Sequence, residues 1–323
     1  MNFILGEMTF LRYFIPLIIE GNKRGIKSNI YGRRSGKYNC VYKEVNSRVL
    51  HLLSTKFNFE IFNIEQINEC KGPIFLIEGV GIECIEKMDN KKISMVYMTD
   101  FIFLYEKYVD KVDHVVFPSR FIAEYYDKLS DKNLYLGTSK YDFLEKDRSR
   151  ILSEHQLPDE KFVLIVFPRN RDLAKIDLQK IYGFLTVLGY KTLVKTRGKD
   201  PVHDPKNRGD YYYMDYSWYP HDTMDLIQIS DFVINFGSTT VKESVILKTP
   251  LIDFDIKPKS VIRGYDFLYD YDYCRVLQPS ITLRGFAQVV ESITSLDEDV
   301  FDVALQNHLF AGNSSERILD FIN

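Results

Sequence analysis

One stretch, residues 231–255 (DFVINFGSTTVKESVILKTPLIDFD), constrains the fold of this 323-residue chain more than any other. Residues 232–235 are apolar and rich in β-branched side chains, which predicts a buried strand. Gly237, Ser238, Thr239 and Thr240 follow at once, a residue that tolerates any backbone angle and then three hydroxyls that suit a helix start. Residues 241–247 have helical spacing, and Thr249-Pro250 ends them because proline disfavours helix in the residue before it. Residues 251–254 form a second apolar run. Strand, tight turn, helix and strand in so short a span make a βαβ unit, with a helix N-terminus at the carboxyl end of a strand. Such an end presents N–H groups, a positive dipole and three hydroxyls to an anion.

The rest of the chain repeats that alternation. Strands are predicted at residues 1–5, 27–31, 74–77, 94–98, 115–117 and 134–136, with helices at 10–23, 47–57 and 121–129. A polar, charge-rich segment, 145–160, has the composition of a linker. Beyond it come strands at 162–167 and 192–195 and helices at 178–188 and 222–229, the latter with Asp222 as its cap. The opening βαβ unit follows, then an irregular 264–274 and closing helices at 283–292 and 315–322. Strands alternating with helices imply parallel, doubly wound sheets. The expected organisation is therefore α/β in two domains, residues 1–150 and 151–323, with the last helix open to packing back on the first domain.

Composition excludes several classes. A formal charge of −3 gives no basic surplus for a nucleic-acid partner. No apolar run approaches the ~20 residues that span a bilayer. The apolar N-terminus carries Glu7 ahead of its hydrophobic part and is broken by Pro16 and Glu20, so it does not fit a signal peptide. Cys40, Cys70, Cys84 and Cys274 are scattered without metal-ligand spacing, and reduced thiols in a cytoplasmic protein are expected. Peripheral contact with a membrane and a homodimer both stay open.

In open α/β sheets ligands bind beyond the carboxyl ends of the strands. In the second half those positions hold Arg169 and Arg171 after residues 162–167, and Lys195 and Arg197 at the end of 192–195. Ser238, Thr239 and Thr240 follow 232–235. Cations converging on a helix start would hold a diphosphate through charge-assisted hydrogen bonds; taken singly, each cation is more often a solvated loop residue. Thr240-Val241-Lys242-Glu243 also fits a capping box, which would give Glu243 a purely structural task. In the first half, Glu7, Glu78, Asp100 and Ser119 occupy the matching positions. Asp253-Phe254-Asp255 has the spacing of a metal-binding pair, though it ends an apolar strand. The aromatic clusters at 211–219 and 265–273 fit packed loops better than stacking platforms.

The residues 231–255, read as aspartate, apolar strand, small residues, glutamate-bearing helix, Lys-x-Pro and apolar strand, resemble the nucleotide-diphosphate site of GT-B enzymes. The segments 136–142 (LGTSKYD) and 312–318 (GNSSERI) are similar to that superfamily's inter-domain and last-helix motifs. The resemblance implies two Rossmann-like domains facing across a cleft, and a nucleoside-diphosphate sugar as substrate with no metal or other cofactor. It implies a glycan or lipid-linked acceptor, and diphosphate contacts from Arg169, Lys195, Arg197 and Gly237–Thr240. By the same resemblance Glu243 would hold the ribose hydroxyls, and Glu7 or Asp100 would be the general base for a glycosyl transfer. Two related reactions stay open. Gly6-Glu7-Met8-Thr9 departs from the Gly-Thr-Arg-Pro-Glu turn of UDP-N-acetylglucosamine 2-epimerases. Lys195-Thr196-Arg197 departs from the lysine-proline-histidine turn of CDP-glycerol glycerophosphotransferases. A nucleotide-binding protein without turnover is the third possibility.

Overall fold

Short runs of Phe, Ile, Leu and Val with no polar alternation have to be buried on both faces, as strands of a parallel sheet covered by helices are. The computed structural model describes the chain outside residues 33–46, 97–101, 103, 144–146, 198–200, 216–218, 220–221, 257–265, 310–311 and 323. It divides into two compact units, one of Met1–Phe143, Trp218–Pro220 and Asn307–Asn323, the other of Leu144–Ser217 and His221–Gln306.

The first unit contains β1 (Asn2–Leu5), β2 (Asn29–Gly32), β3 (Glu60–Asn63), β4 (Ile74–Ile77), β5 (Lys92–Met95), β6 (His114–Phe117) and β7 (Asn133–Tyr135). They pair in parallel in the order β3-β2-β1-β4-β5-β6-β7. The chain leaves β1 in one direction for β2 and β3 and returns on its other side for β4. This puts the topological switch point between β1 and β4. Helix Leu11–Lys23 lays Leu11, Phe14, Ile15, Leu17 and Ile18 into the core, where Phe3 stacks on Phe75 at 5.1 Å.

The second unit contains β8 (Phe162–Val166), β9 (Lys191–Arg197), β10 (Tyr211–Asp215), β11 (Phe232–Asn235), β12 (Leu251–Phe254) and β13 (Cys274–Leu277). All pairs are again parallel, in the order β10-β9-β8-β11-β12-β13, with the switch point between β8 and β11. One face of this sheet, carrying Ile165, Val194, Ile234 and Ile252, packs with Phe286, Val290 and Ile293 of helix Leu283–Thr294.

The α/β class and the parallel sheets stand as expected from sequence. Strands β3, β10 and β13 were not anticipated, and all are sheet edges. An edge is half-exposed, so its sequence lacks the apolar run that marks a central strand; the aromatic cluster beginning at Tyr211 is accordingly a strand, not a loop. The expected linker at 145–160 contains a helix, Arg148–Glu154, whose charges face solvent while Ile151 and Leu152 are buried. Asp147 caps it, accepting Arg150 N–H at 2.7 Å. Asp222 is the first residue of helix Asp222–Gln228 and not the residue before it. The expectation of four reduced thiols is also corrected. Cys84 is disulfide-bonded, Cys70 and Cys274 are free, and Cys40 lies outside the described residues. Sequence spacing carries no information on which thiols meet in space.

The final helix, Ser314–Ile322, belongs to the first unit and gives Ile318 and Leu319 to its core. Its first turn is capped from far back in the chain. The carboxylate of Asp142, 4% exposed, accepts Ser314 N–H at 3.0 Å and Ser315 N–H at 2.6 Å. Asp142→Ala removes both acceptors and is expected to cost about 1–2 kcal/mol or more of stability, the upper range of a capping loss. Urea denaturation of the first unit's signal checks it.

His308 is buried within Leu305–Leu309, its ring 4.0 Å from that of Phe121, and burial lowers its pKa to about 4. An unfolded histidine titrates near 6.5. The folded chain therefore binds fewer protons than the unfolded one between those values. The stability this group contributes is complete above pH ~6.5 and is lost as the pH falls towards 4, by up to about 3 kcal/mol. His308→Gln is expected to flatten the difference between urea midpoints at pH 7 and pH 5.

Candidate functional site

In the second unit the candidate site grows out of strand register. Lys195 on β9 pairs with Val166 on β8, and Asn235 on β11 pairs with Asp253 on β12. Ile234 pairs with Ile165, so continuing that register by one residue sets Asn235 beside Val166. Paired residues of a parallel sheet project from the same face. Lys195, Asn235 and Asp253 therefore stand in one row near the carboxyl edge, on the face opposite the Ile165–Ile234 core. Adjacent strands are ~4.8 Å apart, which puts Lys195 two strands, or about 10 Å, from Asn235. All three are buried, with Asn235 and Asp253 fully so and Lys195 4% exposed.

Beyond the row the chain makes its tight turn. Gly237 has φ +65°, a left-handed value that glycine adopts without cost, and its N–H donates to Asp253 Oδ1 at 2.6 Å. Ser238 N–H donates to Asn235 Oδ1 at 3.3 Å. Asn235 Nδ2 lies 3.0 Å from Asp253 Oδ1, 3.0 Å from the Tyr269 hydroxyl and 3.1 Å from Ser238 O. The Tyr269 hydroxyl in turn donates to Ser238 O at 2.9 Å. Ser238 and Thr240 place their hydroxyls 3.2 Å apart, and both Ser238 and Thr239 are half-buried. Helix Val241–Ile246 follows, and Thr240 makes no side-chain cap bond to it. The capping box anticipated for Thr240 and Glu243 is thus not formed, because Thr240 already has helical angles (φ −61°, ψ −16°). Glu243 is buried, 4% exposed.

The cations divide. Lys195 lies within β9 and not after it, with Nζ 3.4 Å from Thr196 O. Arg169 is exposed and precedes the turn Asn170–Lys175, just beyond β8 at the switch point. Arg171 is exposed with Nε 3.8 Å from Asp172. Arg197 ends β9, and only its backbone is described.

In the first unit Glu7 and Glu78 follow β1 and β4, the strands that flank the switch point. Glu7 is half-buried and accepts a hydrogen bond from the Thr9 hydroxyl. Glu78 is 2% exposed at φ +49°, a left-handed angle rare for glutamate, and accepts the Tyr108 hydroxyl at 3.1 Å. Burial, then the Glu78 charge, pushes the Tyr108 phenol well above its usual range. Ser119 is structural: it caps helix Arg120–Tyr125 and donates to His308 O at 3.0 Å. Asp100 lies outside the described residues. Among the described residues no group of three His, Cys, Asp or Glu is placed to hold a metal ion, and no helix is long and apolar enough to cross a membrane.

Sequence reasoning passed over Asn235 and Tyr269, and considered Asp253 only as half of a metal motif. The available signal was a polar residue inside an otherwise apolar run: a carboxylate in LIDF must find donors if the run is buried.

The chain resembles solved structures over nearly its whole length. A variant of the wall teichoic acid polymerase TagF soaked with CDPG matches with a TM-score of 0.71 at 14% identity, covering 99% of this chain and 87% of that one. The fold is of the GT-B type. A protein assigned as UDP-N-acetylglucosamine 2-epimerase from Listeria monocytogenes matches at 0.68 with 10% identity, over 98% of this chain and 94% of the other. S. aureus MnaA, solved with UDP, matches at 0.61 with 13% identity, over 99% and 95%. No protein-family model and no curated protein matches by sequence.

Gly79 tests how tightly the first unit's strand ends are built. A Cβ there would fall 2.4 Å from Cβ and Cγ of Tyr108, at φ +67°. Gly79→Ala is therefore expected to destabilise by about 2 kcal/mol or more, through overpacking and backbone strain together. Chemical denaturation measures it.

Proposed function

We propose that this chain is a glycosyltransferase that moves a sugar from a nucleoside-diphosphate donor to a glycan or lipid-linked hydroxyl acceptor. One observation carries this: the turn Gly237–Thr240 leaves β11 at the switch point of a GT-B-type sheet, in the strand row that holds Lys195. The donor's diphosphate sits on the Ser238, Thr239 and Thr240 hydroxyls, with Lys195, Arg169 and Arg197 supplying positive charge and Glu243 the ribose contact.

Negative charge grows on the leaving diphosphate as the glycosidic bond breaks, so cations and hydroxyls fixed in advance favour the transition state over the ground state. Deprotonation of the acceptor hydroxyl falls to a carboxylate within hydrogen-bond reach of it, with Glu7 and Asp100 as the candidates. No metal is called for, since protein groups provide the charge.

A second reading, transfer of glycerophosphate from CDP-glycerol, is favoured by one finding. TagF structures match at 0.65 to 0.71, whereas the glycosyltransferase of kitacinnamycin matches at 0.61 with 9% identity. The same turn would serve the cytidine diphosphate.

The experiment is a thermal-shift screen of UDP-, GDP-, CDP- and CMP-linked sugars and CDP-glycerol, followed by NMR of turnover with acceptors. A true donor far above its dissociation constant raises apparent stability by about 2–4 kcal/mol. Ser238→Ala combined with Lys195→Ala is expected to weaken binding at least about tenfold, the loss of one charged and one neutral hydrogen bond. Unchanged calorimetric affinity in that double variant removes the site from consideration.

A further inference from the structure

Building on the phosphate-binding role proposed for Gly237–Thr240, we infer that Asp253, Asn235 and Tyr269 form a positioning device behind that turn, which ties two of its N–H groups inward and fixes the backbone that carries its phosphate-binding hydroxyls. Two of the turn's own N–H groups point inward. Gly237 N–H is taken by Asp253 Oδ1 at 2.6 Å and Ser238 N–H by Asn235 Oδ1 at 3.3 Å. The Ser238 carbonyl is held as well, by the Tyr269 hydroxyl at 2.9 Å and by Asn235 Nδ2 at 3.1 Å. The two peptide units that flank the Ser238 Cα are therefore each held, one by its N–H and the other by its C=O, which fixes the backbone of the turn.

The backbone so fixed carries the Ser238 and Thr240 hydroxyls, which lie 3.2 Å apart. Hydroxyls can donate to a phosphate oxygen and exchange partners without moving the backbone. Backbone N–H groups cradle the anion in a glycine-rich loop; here those of Gly237 and Ser238 serve the frame instead, so the turn relies more on its hydroxyls for the ligand. Asp253 is the keystone, because one carboxylate oxygen takes both the Gly237 N–H and the Asn235 amide, and it is fully buried. Asp253, Asn235 and Tyr269 are positioning residues; none is assigned contact with substrate.

A purely structural network and a positioning one differ in what they do to separate parts of a nucleotide. The test uses UDP, CDP and GDP by calorimetry and the matching nucleosides by ligand-observed NMR, on the full chain. Tyr269→Phe keeps the ring and removes the hydroxyl that grips Ser238 O and accepts from Asn235 Nδ2. It is expected to weaken the bound diphosphate about three- to tenfold, the range of one buried hydrogen bond, while nucleoside affinity stays within about twofold of wild type. Asp253→Ala is expected to lose more of the diphosphate affinity. Asp253→Asn, which retains an acceptor oxygen, is expected to recover it to within about threefold.

Equal losses of diphosphate and nucleoside in Tyr269→Phe would mean the network merely stabilises the unit, and the inference fails. It also fails if Tyr269→Phe leaves diphosphate binding intact while Ser238→Ala with Lys195→Ala abolishes it; the phosphate site then stands without this device. If no diphosphate binds wild type, or the double variant binds normally, the functional proposal itself falls and the inference falls with it. Should Asp253→Ala not fold, Tyr269→Phe and Asp253→Asn still decide the matter.

Discussion

A carboxylate sealed from water must be met by donors, and the arrangement at Asp253 follows from that requirement. Leaving a buried charge without partners costs several kcal/mol, so the strand that carries it dictates what stands alongside. Asn235 is its register partner on β11, and Gly237 is the first residue past the strand able to bend its N–H back at φ +65°. The shape of the strand-to-helix turn is thus imposed from beneath, by polar groups in the sheet. The helix that follows, Val241–Ile246, is short and contributes less to that shape than its place in the sequence implies.

Sheet order extends the same logic to both units. In each, the chain departs one way from a central strand and returns on the other side, and the loops beyond the strands at that reversal are forced apart. In the second unit the gap is bordered by Arg169 and by the hydroxyl turn. In the first it is bordered by Glu7 and Glu78, one half-exposed and the other buried at a left-handed angle and tied to Tyr108.

Central strands were legible in the sequence because total burial writes itself as unbroken apolar residues; residues 232–235, 251–254 and 74–77 coincide with β11, β12 and β4. Edge strands such as β10 and β13 were not, since half-exposure permits the Tyr, Asp and Arg content of a loop. The turn Gly237–Thr240 could be placed by its glycine and hydroxyls, but the groups behind it could not. Asn235, Asp253 and Tyr269 are separated by 18 and 16 residues; the parallel register brings the first two together, and the turn Asp266–Asp270 brings Tyr269. Lys195 lies inside β9 and not at its end as its sequence suggests, because a lysine inside a buried strand runs against the usual preference.

The cap that Asp142 places on helix Ser314–Ile322 bears on how the molecule comes into being. The unit that leaves the ribosome first is not finished first. Its hydrophobic interior stays uncovered at the seat of Ile318 and Leu319 until the whole intervening unit has been translated. The later body, by contrast, holds all its strands between residues 162 and 277 and can close while synthesis continues. The core built around the earliest strands is therefore completed only by residues made after the whole of the second unit.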